Sequence, residues 1–307
     1  MAEKMRSRFL NKMTNDEVEK YLDRNDIIFI PIGTIETHGR FPLDVELTAP
    51  KAFSLLMAEK VDGLVLGDLP YFFCGATTTA RGTIQMSVEK GVQYLKEISH
   101  SLLNQGFRRQ IYVSLHGPAF LTAGTVVIDF FDETKVPITY IDLINAINIA
   151  KERNQNLDLM KNANEIFFGG YEILGTKDEL VIDPDADMKS PFERIEPRTE
   201  KERMIGRGES PNVQFFNYLR RFAHPSGSVG FYYSEPSDHG GEYGAARTIE
   251  ERDALCVKGA EVIRSIVDAL DMDEYVDEMR QLDVWTSSLI KEKYSSILPK
   301  NKFSPWI

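Results

Sequence analysis

The sequence reads as an α/β protein with a mostly parallel sheet flanked by helices on both faces. Three observations predict it. Short β-branched runs look buried on both faces, amphipathic stretches at helical spacing separate them, and the 307 residues are 42% hydrophobic and 27% charged, enough to enclose a substantial core.

The elements follow in order. Thr14-Asn15-Asp16-Glu17 has capping-box spacing, and Val18, Tyr21 and Leu22 continue it as a short amphipathic helix. Ile27 to Ile32 is a continuous apolar run ending at Gly33, the pattern of a strand covered on both sides. Thr48 to Lys60 reads as a helix, Leu64 to Leu69 as a strand, and Val88 to Gln105 as a helix stopped by Gly106. Ile111 to Leu115 is a further buried strand, Pro118 to Phe131 a helix and Ile138 to Ile141 a fourth strand. The charged, Pro-bearing stretch at about 183–211 breaks the periodicity and reads as a loop or lid inserted in one domain over 1–307. Thr248-Ile249-Glu250-Glu251 again has capping-box spacing before a long amphipathic helix, and Asp273 to Tyr294 repeats the pattern. The apolar tail Phe303-Ser304-Pro305-Trp306-Ile307 is expected to dock on a neighbouring element or subunit.

Charge and composition narrow the function classes. Asp and Glu number 47 against 36 Lys and Arg, a formal charge of -11 that repels nucleic acid and acidic membrane surfaces. A small-molecule substrate is the expected partner. No apolar run is long enough to span a bilayer and the first residues lack a secretory h-region, so a cytoplasmic location is expected. Cys74 and Cys256 form neither a disulfide framework nor a CxxC pair, and neither carries a local nucleophile signature.

Only five histidines are present, and two of them end strands. His38 follows the first strand in Gly33-Thr34-Ile35-Glu36-Thr37-His38, and His116 follows the third in Ser114-Leu115-His116. Ligands of open parallel sheets gather at the carboxyl ends of strands, which places both imidazoles on one rim. Extended residues two apart point to one side, so Glu36 and His38 can share a centre, and Glu46 can return to it from the following loop. Carboxylates and imidazoles together suit Zn²⁺ or Mn²⁺, and three or more carboxylates allow two ions. A plain loop hydrogen-bond pair is the alternative for Glu36 and His38. His100 lies inside a helix and His224 precedes Pro225, positions typical of structural histidines. The stretch Ser234 to Glu242 carries Asp238 and His239 among glycines; it reads either as a solvated turn or as a loop bringing His239 over the rim as general acid or base. Gly75 to Thr83 is rich in hydroxyls and suits a substrate's polar edge, but it lacks the lysine of a phosphate-cradling loop.

These residues resemble the creatininase (creatinine amidohydrolase) family. Pro31-Ile32-Gly33-Thr34-Ile35-Glu36-Thr37-His38-Gly39, followed by Pro42-Leu43, resembles its first metal motif, PxGSxEQHGxHLPL, with Glu46 where the bridging aspartate is expected. Arg81-Gly82-Thr83-Ile84 is similar to its PGT-Ile segment, Ser114 to Ala119 to NGHGGN, Phe167 to Glu172 to HAGExE, and Pro225 to Gly230 to the late PSGVxG turn. The resemblance runs from about Asp26 to Asp271 in the family's order. It implies an α/β fold, a homo-oligomer that is commonly a hexamer, and two divalent ions (Zn or Mn, with Fe a further choice). Glu36, His38, Glu46, His116 and Glu172 would hold them, Glu46 bridging, with Glu242 the alternative to Glu172. Two departures stand out: the asparagine and glycine positions of NGHGGN are Ser114, Leu115, Pro118 and Ala119, and the histidine of HAG is Phe167. The metal ligands are expected to be retained while the groups that handle substrate protons differ, with His239 or Asp238 as replacements. The expected activity is hydrolysis of a C–N bond in a small, cyclic amide. Ring opening of an inosose-type carbocyclic ketone and a non-catalytic, metal-stabilised binding role are the alternatives.

Overall fold

The computed structural model describes residues 5–185, 230–233, 239 and 244–294. Four strands, β1 (Ile27–Pro31), β2 (Leu64–Val65), β3 (Arg109–Ser114) and β4 (Thr139–Asp142), form one sheet in the order β2-β1-β3-β4, and every pairing is parallel. The chain leaves β1 toward β2 on one side and returns to β3 on the other. The sheet therefore has its topological switch point between β1 and β3, where a crevice opens at the strand ends.

Period-two alternation divides the core. Ile27, Phe29, Val65, Ile111, Val113 and Ile141 face one layer of helices: α2 (Val45–Lys60), α5 (Leu143–Arg153), α6 (Leu159–Leu174), α7 (Ile249–Ala269) and α8 (Met272–Trp285). Ile28, Ile30, Leu64 and Tyr112 face the other, made by α1 (Asn15–Leu22), α3 (Val88–Asn104) and α4 (Thr125–Thr134). This is why the strand sequences carry no polar face: both sides are dry, and each buried Ile or Phe contributes about 1.5–3 kcal/mol. The expected parallel sheet with helices on both faces is present.

The capping residues act as their spacing suggests. Thr14 and Glu17 form a complete capping box on α1, and Thr248 accepts the backbone N–H of Glu251 at the start of α7. Other boundaries differ. The expected second strand, Leu64 to Leu69, pairs in register only at Leu64 and Val65; Leu69 rejoins Ile32 as a single bridge beyond Gly67 and Asp68. The expected helix from Pro118 is three pieces, a 3₁₀ turn Gly117–Ala119, a π turn Phe120–Gly124 and then α4. The helices α5 and α6 escaped the sequence reading. Most of the expected loop or lid at about 183–211 lies outside the described residues, as does the tail from Phe303. Among the described residues no helix is long and apolar enough to cross a membrane.

Helices α6 and α7 cross in close contact, with Gly169 and Gly259 meeting back to back. A Cβ on Gly259 would fall inside the backbone of Glu165 and Gly169, and one on Gly169 inside that of Gly259. Neither helix can yield without shifting the layer over the sheet. Gly259→Ala is expected to lower unfolding stability by about 2–3 kcal/mol through overpacking, seen as a lower guanidinium midpoint at unchanged slope. An unchanged midpoint would show that the helices can part at no cost.

Candidate metal centre

Four ionisable side chains converge at the switch point. Glu36 and His38 come from the segment after β1, His116 from the segment after β3, and Glu46 from α2; their exposures are 1%, 5%, 4% and 7%. Glu46 does not return from a loop, as its spacing suggested. It sits in the first turn of α2, which begins at Val45 and runs on through Pro50. Gly33 permits this, because a Cβ there would collide with the carbonyl of Glu46. The missing side chain lets the end of β1 lie against the helix, so that sequence-distant carboxylates share one pocket.

The hydrogen bonds define the geometry. The Thr34 hydroxyl lies 2.7 Å from Glu36 Oε1 and 3.1 Å from Glu46 Oε2. The Thr77 hydroxyl donates to the other Glu36 oxygen. His116 Nδ1 is 2.9 Å from Glu36 Oε1 and also bonds Glu46 Oε2. The opposite nitrogen of His116, Nε2, donates to the Phe73 carbonyl at 2.8 Å, which directs Nδ1 toward the carboxylates. His38 Nε2 lies 3.1 Å from Glu46 Oε1. The two oxygens of Glu46 therefore face two different imidazoles, the disposition of a bridging carboxylate.

Electrostatics follow from burial and proximity. Burial favours neutral Glu36, and although His116 opposes it the carboxyl remains raised. Burial would raise Glu46 as well, but His116 and His38 outweigh it and hold that carboxyl well below its usual range. Burial disfavours charge on His116 and His38, yet the facing carboxylates lift both imidazoles above their ordinary value, His116 the further. Packing so many charges in a dry site costs several kcal/mol per ion and is a poor way to stabilise a fold. The donor set is two carboxylates and two imidazoles, and ligand atoms of Glu36, His38 and Glu46 all lie within 4.8 Å of one another. His38 Nδ1 is buried with no hydrogen-bond partner among the described residues. These residues fit a divalent transition ion.

Glu172 is not drawn into the cluster. On α6, Phe167, Phe168 and Tyr171 take the buried face, and the next residue points about 100° away; its carboxylate lies 3.8 Å from Lys177 Nζ with 31% of the side chain exposed. Asp238 and Glu242 lie outside the described residues. His239 is present at the rim, its Nε2 3.0 Å from His38 Nε2. Burial, with His38 adding to it, lowers His239 to about 3, so the ring is neutral at physiological pH. Sequence reading missed Thr34 and placed Thr77 on a substrate edge rather than on Glu36. The alternation Thr34-x-Glu36, which puts hydroxyl and carboxylate on one side, was the available signal. His100 lies elsewhere, 3.0 Å from Glu133 and packed on Phe130, a structural histidine as its helix position suggested.

The family model described as creatinine amidohydrolase (Creatininase) matches residues 11–165. The 3-dehydro-scyllo-inosose hydrolase of Thermotoga maritima is 29% identical over 124 residues, spanning 37% of this chain and 37% of that protein. A mutant creatininase complexed with creatine superposes with a TM-score of 0.57 at 17% identity, over 89% of this chain and 99% of that one. A Zn-Zn type mutant creatininase gives 0.54 at 16%, over 90% and 99%. At these identities the structural likeness is one of fold.

Cys74 lines the outer side of the pocket, its thiol 3.5 Å from the Ile84 carbonyl, and burial together with Glu36 and Glu46 raises it far above an ordinary thiol. Cys256 on α7 is pushed up to about 12 by burial and by Glu172. Neither thiol is expected to react with Ellman's reagent at pH 8 in the folded protein, and both should react in guanidinium. Release of one equivalent from native protein would mean that solvent reaches the back of the carboxylate pocket.

Proposed function

Because the chain belongs to the creatininase family, we propose that it is a metal-dependent hydrolase of a small molecule, with its ions held at the switch point of the sheet. The observation that carries this reading is the buried quartet of Glu36, His38, Glu46 and His116, in which Glu46 presents one oxygen to each imidazole. Glu36, Glu46 and His116 would hold one divalent ion and His38 with Glu46 a second, zinc or manganese by the character of the donors. Such ions supply Lewis acidity, polarising a carbonyl and lowering the pKa of water toward neutrality.

The chain's own groups do the rest. Thr34 and Thr77 fix the carboxylate orientations, and the Phe73 carbonyl fixes the His116 ring. Phe41 and Phe167 pack at 5.3 Å, and Phe167 also meets the His38 ring at 5.8 Å, keeping that wall apolar. His239, or its chain neighbour Asp238, would pass the proton to the leaving atom.

The substrate in the first reading is a small cyclic amide opened at its C–N bond. Ring opening of an inosose-type ketone is the second, and two observations favour it over creatinine. One is the similarity to an inosose hydrolase; the other is that Phe167, where the family motif has histidine, packs against His38 and offers no proton. A panel of cyclic amides, N-formyl compounds and inosose-type ketones, run with added Zn²⁺ or Mn²⁺, separates them.

Elemental analysis of protein purified without a metal-affinity tag is expected to find about two divalent ions per chain. His116→Ala should lose metal and turnover together, whereas His100→Ala should keep both. Equal behaviour of the two variants, or no metal even after reconstitution, would sink the assignment.

A further inference from the structure

The two ion positions are not equally furnished. The first would have three protein ligands in Glu36, Glu46 and His116, which are in mutual contact. With Glu36 assigned to the first, the second would have two, His38 Nε2 and Glu46 Oε1, since Glu172 is turned away toward Lys177. Two protein ligands are fewer than the three that catalytic sites for such ions use.

Building on the two-ion reading, we propose that His239 is the third protein ligand of the second ion, bound through Nε2, in place of the proton-transfer role its sequence context suggested. Its Nε2 is 3.0 Å from His38 Nε2, the same atom that lies 3.1 Å from Glu46 Oε1. The His38 and His239 rings meet edge to face, with centroids 4.4 Å apart and planes at 79°.

His239 is also seated rather than placed by chance. The Tyr233 N–H donates to the Ala76 carbonyl at 3.0 Å, and the Thr79 hydroxyl donates to the Tyr233 carbonyl at 2.9 Å. The Tyr233 ring then stacks on His239 at 5.4 Å and 25°. The hydroxyl-rich turn Gly75–Thr79 thus holds both positions: Thr77 orients Glu36 of the first, and Thr79, through Tyr233, orients His239 of the second. Phe167, which meets the His38 ring edge to face, offers no donor.

The test uses Zn²⁺ alone, added to metal-stripped full-length protein and read by isothermal titration and elemental analysis after gel filtration. The wild type should bind two ions. His239→Ala should keep the ion at Glu36 and His116 and weaken the other at least about 100-fold, more than the loss typical of an outer-shell partner; His239→Asp should restore part of it. In wild-type protein with ¹⁵N-labelled histidine, Zn²⁺ should shift His239 Nε2, His38 Nε2 and His116 Nδ1 and leave His100 unchanged, a readout that needs no variant to fold. A variant His239→Ala that binds both ions as tightly as wild type, or an unshifted His239 Nε2, overturns this proposal alone. Wild-type protein that binds no Zn²⁺ overturns it together with the two-ion reading.

Discussion

The contact between Gly33 and the backbone of Glu46 is the constraint from which the rest of the centre follows. Strand β1 ends there, and without a Cβ it can press against the first turn of α2. The approach brings Glu46 within reach of Thr34 and places its two oxygens before imidazoles that arrive from different strand ends. Moving the helix outward by the width of a methyl group would separate Glu46 from Glu36 and split one pocket into two unpaired, buried carboxylates. The dry surroundings make that costly, since each charge is satisfied by the others rather than by water.

The fold supplies the convergence cheaply because of its topology. Parallel strands all present their carboxyl ends on one side, and the order β2-β1-β3-β4 parts the connections leaving β1 and β3. Segments that follow those two strands can therefore enter one crevice without crossing. The same layering explains the aromatic side of the site. Phe41, Phe167 and Phe168 belong to the core between the sheet and α6, so the centre lies at the edge of a hydrophobic layer. A low local dielectric strengthens every interaction among Glu36, His38, Glu46 and His116.

Legibility in the sequence tracked how local each signal was. The strand cores of β1, β3 and β4, the caps of α1 and α7, and the pairing of Glu36 with His38 rest on neighbours within a few residues and were readable. Glu46 was found as a residue but placed in a loop, because the helix was expected to begin at Thr48, with Pro50 in its first turn where proline is tolerated, whereas α2 begins three residues earlier at Val45. The second strand was overread because its apolar run continues past the point where Gly67 and Asp68 break the ladder. Helix α6 was missed although a family motif falls within it, and with it the fact that Glu172 points away from Tyr171. Thr77 and the Phe73 carbonyl act across long sequence separations, which periodicity cannot report, whereas Thr34 had a local signal in its spacing to Glu36.

As a ligand, His239 would change the donor set of the centre without changing its frame. The three segments after β1 and β3 and at the start of α2 are fixed by sheet and helix packing, so their donors are hard to exchange. A donor carried by a later segment, seated by Tyr233 on the Gly75–Thr79 turn, has no such burden. It can be supplied or withdrawn at the cost of a few local hydrogen bonds. Where the family pattern places a histidine on α6, this chain buries Phe167, and the imidazole beside His38 comes from His239. Glu36, His38, Glu46 and His116 thus depend on the packing of the whole sheet, whereas the seat of His239 depends on the Gly75–Thr79 turn and Tyr233.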